Sequence, residues 1–152
     1  MRSLMWTAVV GLVVGCAARP MSVITVAGTS SLDDLLRTRP LAAAANIRAD
    51  EIARTSAASV HLVQVRGGET PHHHATHDLT VAVLRGEGSL TIDGTTRAMA
   101  VGDVAVIPRG VRHYFVRGGG IPAVALVVFA PPLDGPDSVP DPVAVDSPPN
   151  DR

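Results

Sequence analysis

The chain has 152 residues, with 13 Arg, no Lys and 14 acidic residues, for a formal net charge of -1. That balance excludes the basic stripe of a nucleic-acid binder, while 46% hydrophobic residues supply a core for one domain with appendages. Cys16 is the lone cysteine, which excludes an intrachain disulfide and a cysteine-rich zinc site; Trp6, Tyr114, Phe115 and Phe129 are too few for an aromatic cage.

Arg2 and the apolar stretch from Leu4 to Val14 have the charge and length of an export signal, and are too short for a comfortable membrane span. The stretch ends Val13-Val14-Gly15-Cys16, which resembles the lipobox of bacterial lipoproteins. That resemblance implies a signal peptide over residues 1–15 and lipidation of Cys16. The protein is then expected in the cell envelope, lipid-anchored, on the outer-membrane or periplasmic face if the source is Gram-negative. An uncleaved helical anchor, or an ordinary secretory signal with an incidental cysteine, are the competing readings. Residues 16–30, with Ala, Ser, Thr, Gly and one Pro, are expected to be the lipidated cysteine and a tether. Residues 31–58 form an N-terminal extension. Ser31 can cap a short helix whose first turn carries Asp33 and Asp34, and Pro40 limits it; a second helical turn is read over Asp50–Arg54.

From Ser59 the pattern changes to short β runs separated by glycine and proline: Val60–Val65, Leu79–Leu84, Leu90–Ile92, Thr95–Val101, Val104–Ile107, Val111–Val116 and Ala123–Ala130. Asp93-Gly94 is a hairpin signal, since both central residues tolerate positive φ. Runs this short and evenly spaced predict an all-β fold, an antiparallel sandwich or closed barrel. The last 22 residues hold seven of the twelve prolines and five of the fourteen acids, so 131–152 is expected to be a disordered Pro/Asp-rich tail.

Five of the six histidines fall in two places: His72, His73, His74 and His77, and then His113. Imidazoles two apart on a strand share a face, so His72 and His74 point together while His73 points away. The stretch from Gly68 through His72-His73-His74-Ala75-Thr76-His77-Asp78-Leu79 to Gly86-Glu87-Gly88 resembles the first motif of the cupin family. Gly102-Asp103-Val104-Ala105-Val106-Ile107-Pro108-Arg109-Gly110-Val111-Arg112-His113 resembles the second, with glycine, proline, second glycine and histidine at the family spacing. The resemblance implies a double-stranded β-helix, or jelly-roll barrel, over residues 59–130, and a metal held by His72, His74 and His113.

Two positions depart from the family, Leu79 and Arg117, the latter standing where cupins often carry asparagine. Leu79 stands where cupins place a metal-binding glutamate. Asp78, one residue earlier, is the candidate fourth ligand, although a one-residue shift in a strand reverses its face. His77 is the alternative. Tyr114 and Arg117 are candidate ligand contacts. Glu69 and Glu87 sit in glycine-flanked turns and are expected to be exposed. Ligand type alone does not choose among Zn, Fe, Mn, Ni and Cu. The pocket is expected to be small and aliphatic, taking a small molecule through oxygen atoms. Three functions stay open: a metal- and ligand-binding envelope protein; a metal-dependent enzyme, dioxygenase or isomerase, on a small oxygen-rich substrate; and a metal-free structural or partner-binding lipoprotein. An open β edge also allows a homodimer.

Overall fold

A computed structural model describes residues 21–141. The export signal and Cys16 lie outside the described residues, as do positions 142–152. Among the described residues, no helix is long and apolar enough to cross a membrane.

The stretch expected to be a tether contains a hairpin instead, β1 (Ser22–Thr25) and β2 (Gly28–Ser31). Its composition concealed two local signals. The Thr25 hydroxyl accepts from the Ala27 N–H at 3.2 Å across the turn, and Val23 packs against a buried cluster. Helix α1 (Leu32–Thr38) follows, capped by Ser31, whose Oγ accepts from the Asp34 N–H at 3.1 Å. The second helical turn is absent: Asp50–Arg54 belongs to strand β3 (Ile47–Arg54). There, Ile47 and Ala49, exposed on the edge strand, face the cavity, while Arg48 and Asp50 pair at 2.6 Å on the other side.

The remaining strands are β4 (Ser59–Val65), β5 (His72–His74), β6 (Asp78–Arg85), β7 (Glu87–Ile92), β8 (Thr95–Ala100), β9 (Val104–Ile107), β10 (His113–Arg117), β11 (Ala123–Ala130) and β12 (Ser138–Pro140). They form two five-stranded antiparallel sheets, ordered β12-β5-β10-β7-β8 and β3-β4-β11-β6-β9. The hairpin at Asp93-Gly94 forms as its chemistry requires, with φ of 47° and 75°. Between the sheets lie Leu79, Val83, Leu90, Met99, Ile107, Val127 and Phe129. On the outer face of the second sheet, Leu32 and Leu35 of α1 cover Leu62, which is 0% exposed, and Val124. Each such aliphatic burial contributes about 1.5–3 kcal/mol, so the N-terminal extension is part of the folded unit.

The described part of the expected tail is also folded. The Leu133 N–H donates to Ser59 Oγ at 2.9 Å, and Arg54 reaches the Leu133 carbonyl at 2.6 Å and Asp134 at 2.7 Å. Strand β12 then pairs with β5, setting Ser138 opposite His74 and Pro140 opposite His72. Composition suggested disorder because prolines and aspartates hide no apolar period. What orders this segment is contact with residues far away in sequence.

Candidate metal centre

His72 on β5 and His113 on β10 are directly opposite in the ladder, and His74 follows two residues later on the same face. The turn before β10 brings His113 there. Gly110, at φ 75°, donates its N–H to the His74 carbonyl at 2.8 Å, and the Val111 N–H closes onto the Pro108 carbonyl at 3.2 Å. The ring centroids lie 4.5–5.4 Å apart, and one donor atom from each imidazole lies within 4.8 Å of the others.

The opposite edges of the rings show which nitrogen is free. His72 Nδ1 lies 2.8 Å from the Thr70 carbonyl, and His113 Nδ1 lies 2.9 Å from the Val111 carbonyl. Since a carbonyl only accepts, each Nδ1 carries a proton, and in the neutral ring Nε2 is the nitrogen that keeps its lone pair. Metal-bound histidines have this arrangement, in which the second nitrogen donates to an oxygen that fixes the ring. Burial pushes His74 down to about 4, helped by the nearby His113 and His72, and burial also pushes His113 down. Both are therefore neutral ligands at neutral pH, and the residues present fit a divalent ion.

These shifts carry a sign. The unfolded chain binds a proton at an ordinary imidazole value of 6.5, and folded His74 does so only near 4. This contribution to stability is complete above 6.5 and is lost as pH falls toward 4. In the metal-free protein, NMR titration of the His74 ring is expected to give a midpoint near 4. A midpoint at the ordinary value would contradict the burial argument.

Neither candidate for the fourth ligand joins the centre. Leu79 is buried and faces the cavity, so Asp78, its neighbour on β6, faces the other way. The Asp78 carboxylate is taken by Arg109, through the backbone N–H at 2.9 Å, Nε at 3.2 Å and Nη2 at 2.8 Å, which holds it down to about 2. His77 is turned to the C-terminal segment, with Nδ1 against Asp137 and Nε2 against the Pro132 carbonyl. His73 points away as expected and meets Asp141 at 3.1 Å. Tyr114 and Arg117 do not line this cavity. On β10 it is His113 and Phe115 that face the cavity, leaving Tyr114 on the reverse side. Arg117 gathers the carbonyls of Arg66 and Gly119 and so braces two loops.

One residue was missed. Glu69 lines the cavity rather than facing solvent: its N–H donates to the Phe115 carbonyl at 2.8 Å, and its Oε2 accepts from the Phe115 N–H at 2.9 Å. Burial pushes its carboxyl up. The Gly67-Gly68 pair signalled a turn, but Gly68 bridges to Val116 and carries Glu69 inward. The cavity has a volume of about 410 Å³ and walls of Val, Leu, Ile, Met and Phe. Among the described residues its polar lining consists of the three imidazoles, Glu69, Thr70 and Ser138, with no arginine.

Two antiparallel sheets closing on three converging imidazoles make a double-stranded β-helix. Residues 59–129 match the family model described as the cupin domain. An uncharacterized protein of Aquifex aeolicus is 43% identical over 81 residues, or 53% of this chain. An auxin-binding protein of Prunus persica is 35% identical over 75 residues, or 45% of this chain. The aligned stretches span 66% and 36% of those proteins' own lengths. Among solved structures, KdgF from Halomonas superposes with a TM-score of 0.55 at 27% identity, covering 59% of this chain and 82% of that one. The cupin domain of Schizosaccharomyces pombe Cnp3 gives 0.57 at 13% identity over 74% and 86%, a likeness of fold alone.

Proposed function

We propose that this protein is a lipid-anchored cell-envelope cupin that binds a divalent transition metal through His72, His74 and His113 and holds a small ligand beside it. The observation that carries the metal reading is the division of the ring nitrogens. In His72 and His113, Nδ1 is engaged by a carbonyl, and the donor atoms of all three rings gather within 4.8 Å. Bound there, the ion would supply Lewis acidity toward an oxygen donor of the ligand. The walls set the rest of the ligand. An aliphatic cavity lined by no arginine among the described residues favours a compact apolar body with one oxygen-donor head over a sugar, a nucleotide or a multiply charged anion. The auxin-binding relative is named for a small-molecule ligand, which supports this reading.

The second reading is a metal-dependent enzyme, and Glu69 favours it. A carboxyl raised by burial in the same cavity can take or give a proton at a bound ligand.

Elemental analysis of protein purified from the envelope fraction tests the metal, with one ion per chain expected; a metal-free protein that also takes up none of the five candidate ions would refute it. Calorimetry of the loaded protein with small enols, phenols and sugars tests the ligand class, sugars being expected not to bind. Product formation lost in Glu69→Gln would establish the enzyme. Cys16→Ser is expected to move the protein from the membrane to the soluble fraction, and unchanged membrane attachment would remove the lipid anchor from the proposal.

A further inference from the structure

The three imidazoles are not equivalent. His72 and His113 each have Nδ1 on a backbone carbonyl, whereas His74 Nδ1 is buried with no hydrogen-bond partner among the described residues. A buried ring nitrogen left in this state is costly, so a carboxylate beside it is informative. Asp137 Oδ2 lies 3.8 Å away, on a side chain only 10% exposed. The carboxylate is held there by several contacts. Thr76 Oγ1 donates to Oδ1 at 3.0 Å, the Thr76 N–H to Oδ2 at 3.3 Å, and His77 Nδ1 also meets Oδ2. The β12–β5 register places it beside this ring, since Ser138 stands opposite His74.

We propose that Asp137 is a positioning residue for the metal centre, accepting a hydrogen bond from His74 Nδ1 so that Nε2 of that ring faces the ion. The inference rests on the metal reading above. It gives the third imidazole the oxygen partner that the other two already have, a carboxylate in place of a carbonyl. A shift of about 1 Å brings Oδ2 within hydrogen-bond range of Nδ1. The carboxylate also raises the basicity of the His74 ring as a ligand. The C-terminal segment is then part of the centre as well as its wall, because Ser138 and Pro140 line the same cavity.

Cobalt(II) titration of the full chain, followed by calorimetry and by the visible absorption of the bound ion, tests this. Wild-type protein is measured first; if it binds no cobalt, the metal reading itself fails. With wild-type binding established, Asp137→Asn is expected to weaken affinity about 10–100-fold. His77→Gln removes the neighbouring clasp but keeps the carboxylate, and is expected to bind close to wild type. Undiminished affinity in Asp137→Asn, or the same loss in His77→Gln, would overturn the assignment, the latter because Asp137 would then act only by pinning the segment. If Asp137→Asn does not fold, Asp137→Glu decides, since it keeps the charge and displaces the acceptor. A shifted cobalt spectrum supports the positioning role, and an unchanged one overturns it.

Discussion

Replacing His113 by alanine is expected to abolish stoichiometric metal binding, with a loss of affinity of at least about 100-fold, while the barrel stays folded. Loss of an outer partner of a metal-bound histidine already costs 10–100-fold, so loss of a ligand falls at or beyond that range. His113 stands opposite His72 and is delivered by the Pro108–Gly110 turn, so its removal leaves two imidazoles from one short strand. Those two cannot enclose an ion by themselves. Asp78→Ala provides the contrast. Its carboxylate is 46% exposed and bound to Arg109, so metal affinity is expected to be unchanged. Metal content after dialysis, together with circular dichroism, measures both. A His113→Ala protein that retains one ion per chain would remove His113 from the centre.

The second large effect is expected at Gly88. On β7 this residue pairs with Arg117 of β10 on one side and Met99 of β8 on the other. A Cβ built there would lie 2.2 Å from Phe115 Cζ and 2.4 Å from the Val116 carbonyl oxygen. A phenyl ring alone can turn aside, but the carbonyl belongs to the strand that carries His113 and cannot retreat without opening the ladder. Gly88→Ala is therefore expected to destabilise the fold by about 3 kcal/mol, lowering the melting temperature on the order of 10 °C. A Cβ at Gly120 would meet nothing within 4 Å, so Gly120→Ala is the control and should melt close to wild type. Equal melting of the two variants would show that β7 and β10 can separate locally.

These two positions lie at opposite ends of what was legible in the sequence. The strand runs, the Asp93-Gly94 hairpin, the Ser31 cap and the two histidine motifs were readable because each depends on residues close together along the chain. A strand repeats every two residues, so His72 and His74 had to share a face, and Leu79 at the inward position already told against Asp78. The clash at Gly88 was not readable. A glycine in a glycine-rich run resembles a turn until the strand beside it is known.

The sequence alone determined an all-β barrel, an inward pair of imidazoles and the turn that adds a third. Tertiary structure decided everything that depended on which distant segment packs where. It directed Asp78 to Arg109 and His77 to Asp137, across 31 and 60 residues, so neither is free to complete the centre. It turned Glu69 inward and made a wall of the C-terminal segment, with Asp137 beside His74. The reason is physical. Backbone period and turn chemistry act over a few residues, whereas the partner of a buried polar atom is set by the closing of two sheets, and no local pattern records it.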